Sequence, residues 1–168
     1  AFMEENTGLD KYYTLLLLMT TGMLGLMLTG DMFNFFVFLE ITSIASAALV
    51  AFWTNKAKAV EAGFKYIVIS TIGALFVLLA IALLYGQYDA LNMAKIAQNI
   101  GLSGFTFIDK IAFVLLIAAL AMKGGLAPTH MWIPDAYGRG PASISLLLVG
   151  ATQASLYGLF RIVFTVYG

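Results

Sequence analysis

The chain has 168 residues and nine lysine and arginine residues against nine aspartate and glutamate residues, so its formal net charge is zero. Without a global field it has no charge-based pull toward nucleic acid or an acidic partner, and without cysteine it has no disulfide or thiolate metal site. Its 61% hydrophobic and 11% charged residues, against roughly a quarter charged in soluble domains, belong in a lipid bilayer.

Several apolar runs follow one another, each near the ~20 residues that a helix needs to cross ~30 Å of hydrocarbon. A membrane β-barrel would show short alternating segments instead. The sequence therefore predicts an all-α, polytopic membrane protein with five transmembrane helices, the fourth discontinuous near Gly124 to Pro128. Residues 1–11 look soluble, and Tyr12 and Tyr13 suit a membrane interface. The first span is expected over 12–29, a tight turn at Gly30-Asp31, and the second span over 32–53. Lys56 and Lys58 fall in the loop before a third span over 62–85, and a short surface helix is expected around Ala90 to Asn99. The fourth span runs over 107–136 through the glycine pair and Pro128. Proline removes a backbone donor and crowds the preceding turn, and irregular backbone is tolerated at membrane depth only under protein or beside a water-filled cavity. The fifth span is expected over 141–167, with Pro141 suited to a first helical turn.

Lys11, Lys56, Lys58 and Arg139 gather on one side of this topology and Lys95, Lys110 and Arg161 on the other, so the positive-inside rule places the N-terminus inside. The chain begins without an initiator methionine or a targeting pattern and ends on an apolar helix, which reads as one transmembrane domain of a longer protein. No internal repeat or low-complexity segment stands out. An odd number of spans fits one half of an inverted-repeat architecture.

Ionisable residues inside apolar spans are costly, and mark function by default. Glu40 lies nine residues beyond Asp31, roughly 13 Å along a helix, in a segment with no other charge; the competing reading is a salt bridge that only fixes packing. Lys123 immediately precedes the double glycine. Desolvation disfavours its charged form and a nearby carboxylate favours it, so such an amine can load and release a proton; the alternative is snorkelling to the interface. Lys65, nearer its helix start, is read equally as functional or snorkelling. His130 has no second ligand at metal spacing and is read as a proton carrier or a loop anchor. Asp31 is read first as a turn or N-cap residue. Thr152, Gln153 and Ser155 give the fifth span a polar face, read chiefly as interhelical hydrogen bonding. No nucleotide-binding glycine pattern, nucleophile elbow, haem ligand or iron–sulfur ligand set is present, so no cofactor is expected and no redox catalysis within this chain.

The segments GDMFNFFVFLE at 30–40, EAGFKYIVIS at 61–70, ALNMAKIAQ at 90–98, AMKGGLAPTHMWIPDAYGRGP at 121–141 and ASLYGLFR at 154–161 resemble one family. It is that of the antiporter-like proton-translocating subunits shared by respiratory complex I, Mrp sodium/proton antiporters and membrane-bound energy-converting hydrogenases. The resemblance implies a subunit of about fourteen helices with two inverted five-helix repeats, of which this chain is the first. It implies that Lys123 and Glu40 are the central protonatable pair and that Lys65 lines the same half-channel. It also implies other membrane subunits, the bilayer and protons as partners, with sodium as a candidate second ion, in a cell membrane. Many relatives carry a lysine where this sequence has Gln153, so the onward path is left to water or to residues outside the segment. The competing class is a structural membrane subunit in which the same charges only hold helices together; a quinone-binding enzyme lacks any residue that marks it.

Overall fold

A computed structural model describes residues 8–140 and 142–168, the side chain of Ala142 excepted. The opening heptapeptide and Pro141, and with them the placement of Pro141 in a first helical turn, lie outside the described residues. Among the described residues the architecture is helical throughout: α1 (Leu9–Leu28), α2 (Met32–Val50), α3 (Ala57–Tyr88), α4 (Met93–Ser103), α5 (Phe107–Lys123), a 3-10 turn (His130–Trp132), α6 (Ile133–Arg139) and α7 (Ala142–Thr165). Among the described residues four helices are long and apolar enough to cross a membrane: α1, α2, α3 and the Ser143–Thr165 stretch of α7.

The boundaries have local causes. The turn between α1 and α2 falls at Gly30-Asp31, where the Asn34 N–H donates to Asp31 Oδ1 at 2.9 Å, the N-cap arrangement that satisfies an otherwise orphaned donor. The same turn is held from outside, since the Met32 N–H donates to the Leu91 carbonyl at 2.8 Å and the Met93 N–H to that of Gly30 at 2.9 Å. α2 stops at Val50 rather than Trp53, and α3 starts at Ala57 instead of residue 62 and runs for 32 residues. Lys58, Glu61 and Lys65 are competent helix formers with no glycine or proline stop among them save Gly63, so the helix continues past the apolar segment. It ends at Asp89 in the left-handed region, φ 46°. The expected surface helix is α4, shifted to Met93–Ser103 and N-capped by Asn92.

α5 opens with a capping box between Thr106 and Asp109. It closes at Lys123, and Gly125 takes φ 72°, a conformation that glycine adopts without a steric penalty. Proline disfavours helix one turn before its ring, which is where Gly124 and Pro128 stand. The chain then passes through the 3-10 segment into α6.

α1 packs along α2, α2 along α3, and α3 along α5, with α7 closing the bundle against α5 and α1. The α1–α2 approach is close because a Cβ at Gly22 or Gly25 would collide with Thr42 or the Phe38 ring. The buried apolar residues form two clusters. One includes Leu26, Phe35, Val77, Leu116 and Ile162; the other includes Met19, Leu49, Tyr66, Trp132 and Leu148.

Candidate functional site

α1, α2, α3 and α7 each contribute buried residues to both apolar clusters, and on the last three the crossing level is polar. On α2 the clusters meet between Leu39 and Ala45, on α3 between Tyr66 and Val77, and on α7 between Ala151 and Ala154. Those intervals hold Ser43, Ser70 and Thr152, all buried, with Ser155 just beyond. α5 delivers the remaining member, Lys123, 7% exposed at its last position.

The Lys123 Nζ donates to Glu40 Oε1 at 3.1 Å, to Ser43 Oγ at 2.7 Å and to Ser70 Oγ at 3.1 Å. An ammonium has three donors and no acceptor, so the cation is fully satisfied. Glu40 and Ser43 stand three positions apart on one face of α2, and the Ser43 hydroxyl donates onward to the Leu39 carbonyl at 2.8 Å, which leaves its lone pairs for the amine. The two halves of the ion pair differ in access: the Lys123 side chain is 3% exposed and that of Glu40 is 23% exposed. Burying a charge is expensive unless it is paired and hydrogen-bonded, and both conditions hold.

Two small cavities are bordered by Lys123. One, of about 10 Å³, lies between Lys123 and the polar residues of α7, with Thr42, Ser43, Tyr66, Thr152 and Ser155 in its wall. The other, also about 10 Å³, is bounded by Ser70, Tyr66, Met122 and Trp132. Each has about the room that one water requires, and each has hydroxyls in reach. Tyr66 and Trp132 belong to both walls, their rings meeting edge to face with centroids 4.9 Å apart. Trp132 is held by its indole N–H, which donates to the Met122 carbonyl at 3.2 Å.

Lys65 belongs to a second charged group. Its Nζ lies 2.6 Å from Glu61 Oε1 on the preceding turn of α3 and 3.1 Å from Asp135 Oδ2 on α6. Arg139 completes the group, 3.0 Å from Asp135 and 3.9 Å from Glu61. The Lys65–Asp135 and Arg139–Glu61 pairs tie α6 to α3 at an exposed position. His130 opens the 3-10 segment with an exposed side chain, and Gln153 is exposed on α7; its neighbours Thr152 and Ser155 are the ones that line the cavity toward Lys123. Asp31 serves as the N-cap of α2.

Sequence reasoning missed Ser43, Ser70, Tyr66, Trp132 and the Glu61–Asp135–Arg139 partners of Lys65. The Glu40-x-x-Ser43 spacing was available as a signal, since it puts both side chains on one helix face. Nothing comparable pointed to Ser70, which comes from a different helix.

The chain is 38% identical over 157 residues to NADH-quinone oxidoreductase subunit N of Desulforudis audaxviator, covering 93% of this chain and 31% of that protein. It is 36% identical over 153 residues to a Na(+)/H(+) antiporter subunit of Bacillus subtilis, covering 90% of this chain and 31% of that one. Among solved structures, a chain of the archaeal membrane-bound sulfane sulfur reductase superposes with a TM-score of 0.87 at 37% identity, over 96% of this chain and 33% of its own length. The chain thus spans about a third of the length of the relatives it matches. Residues 29–167 match the family described as NADH:quinone oxidoreductase/Mrp antiporter, TM, and with most of its length inside that match the chain belongs to this family of antiporter-like membrane subunits.

Proposed function

We propose that this chain is a proton-translocating segment of a multisubunit membrane complex and that Lys123 and Glu40 carry the proton. The supporting observation is the buried amine with one carboxylate and two hydroxyls as its complete set of acceptors. While Glu40 faces the amine, the ammonium is compensated and holds its proton. When the carboxylate turns away through its more open side, the ammonium is left in a low-dielectric site with only neutral partners, and it gives the proton to water in an adjacent cavity. The neutral amine retains two N–H donors and gains a lone pair, which the Ser43 or Ser70 hydroxyl can fill. Return of Glu40 favours reloading. A conformational change elsewhere in the complex then needs only to bias the Glu40 position to drive the cycle.

In this reading α5 and α6 are two parts of one discontinuous membrane helix, so that with α1, α2, α3 and α7 the chain makes a single five-span domain, one of two inverted repeats. The break places a protonatable end group beside a hydrated backbone. Lys65 stands toward the mouth of the path. His130 and Gln153, both exposed, are the positions from which a relay would leave the segment. The Gln153 amide cannot hold a proton, so it would orient water toward an acceptor supplied by the rest of the subunit. The partners are other membrane subunits; protons are the transported ion, and sodium is a candidate counter-ion.

The experiment is proton movement in vesicles containing the full complex, followed with a pH-sensitive dye. Lys123→Ala and Glu40→Ala abolish it while assembly persists; normal pumping by both variants overturns the reading. Assembly loss in proportion to activity loss, with Lys123→Met fully active, would favour a scaffold role instead.

A further inference from the structure

We propose that the groove between the start of α1 and the α2–α3 connection is a binding site for an anionic phospholipid, independent of the proton path. The groove has a volume of about 480 Å³, within the range of small-molecule sites. Its lining changes character with depth. Lys11, Thr54 and Asn55 lie at the helix end and in the loop, whereas Leu15 and Ala48 lie one helical turn further into their membrane-crossing helices, with Ala51 and Phe52 between the two levels. A ligand that fills it must be anionic and hydrogen-bonding at one end and aliphatic at the other, the description of a phospholipid phosphate with an acyl chain below it.

The charge balance at this end is consistent with that ligand. Lys11, Lys56 and Lys58 are exposed, and none forms an ion pair among the described residues. Lys56 lies over the Trp53 ring, 3.7 Å from its centroid, which fixes a cation beside the groove and leaves its outward face free. The acidic neighbours are Asp10, exposed on α1, and Glu61, engaged with Lys65 and Arg139; Glu4 and Glu5 lie outside the described residues. Tyr12, Tyr13 and Trp53 mark the interfacial level, and basic pockets between membrane helices at that level suit anionic headgroups. The wall is also fixed: Tyr12 packs edge to face on Phe52 with centroids 5.4 Å apart, and its hydroxyl lies 2.7 Å from Ser143 Oγ on α7.

The test is native mass spectrometry of the full complex titrated with phosphatidylglycerol, phosphatidylcholine or inorganic phosphate, beside photo-crosslinking from a benzophenone side chain at Thr54. Phosphatidylglycerol binds in preference to phosphatidylcholine, Lys11→Ala weakens it about fivefold, Lys11→Arg retains it, and Leu15→Trp, which fills the aliphatic part, excludes it. The crosslink goes to lipid. Equal retention of the two lipids, or unchanged binding in both Lys11→Ala and Leu15→Trp, overturns the proposal. So does phosphate competing at the same concentration as the lipid, which would make this an anion site, or a crosslink to polypeptide, which would mean that a protein segment occupies the groove.

Discussion

The protein has two charged clusters that use the same chemistry in opposite surroundings. Around Lys123 one cation and one carboxylate share a polar layer between apolar clusters, and every donor on the amine is taken. Around Lys65 two cations and two carboxylates alternate at an exposed junction of α3 and α6, with the Lys65 side chain 46% exposed. In the second cluster water can replace any partner that leaves. In the first nothing can, except the one or two waters that the adjacent cavities have room for. Charge count is therefore a poor guide to consequence; what matters is whether solvent can substitute.

The comparison breaks most visibly at Glu40. Removing one partner of a buried pair leaves an uncompensated charge, which typically costs about 3–5 kcal/mol, and the partial exposure of Glu40 sets the expectation at about 3 kcal/mol for Glu40→Ala in detergent unfolding of the subunit. Lys123→Met in the Glu40→Ala background should recover most of that loss, because it removes the stranded cation; a double-mutant cycle measures the coupling. If the double variant is as unstable as Glu40→Ala, the pair is not the source of the cost. Ser43→Ala is the intermediate case. It leaves one ammonium donor unsatisfied, a penalty of about 1–3 kcal/mol, and Ser43→Thr, which keeps a hydroxyl, should fall well below it. Equal losses in the two Ser43 variants would point to packing and not to the hydrogen bond.

The contrast also explains what was legible beforehand. Glu40 and Lys123 stand out because a charge in an apolar run has no bland explanation, and the end of α5 was readable from Gly124, Gly125 and Pro128. The residues that complete the site carry no such mark. Serines in membrane helices commonly bond the preceding turn, as Ser43 does toward Leu39, so Ser43 and Ser70 gain a role only when α2, α3 and α5 converge. Depth was equally hidden: Thr152, Gln153 and Ser155 read as one polar face, yet Gln153 is exposed, while Thr152 and Ser155 are buried and line a cavity that Lys123 also lines. The extent of α3 was missed because hydropathy follows the membrane while helix propensity follows the backbone, and Lys58, Glu61 and Lys65 satisfy the second and not the first.

The smallest expected effect belongs to Lys65. Exposed ion pairs gain little net energy, since solvent screens them and ordering long side chains opposes them. Lys65→Gln should leave unfolding of the subunit unchanged within experimental scatter. Because Arg139 on α6 stays 3.9 Å from Glu61 on α3, α6 retains one tether, and transport should slow without stopping. Raising ionic strength from about 0.05 to 0.5 M, where the screening length falls well below ~10 Å, should reproduce the slowing in the unmodified protein and add nothing to Lys65→Gln. Glu40→Ala should remain inactive at every salt concentration. If instead Lys65→Gln unfolds as readily as Glu40→Ala, the α3–α6 junction is dry in the assembled complex, and its four charges belong in the same energetic class as the buried pair.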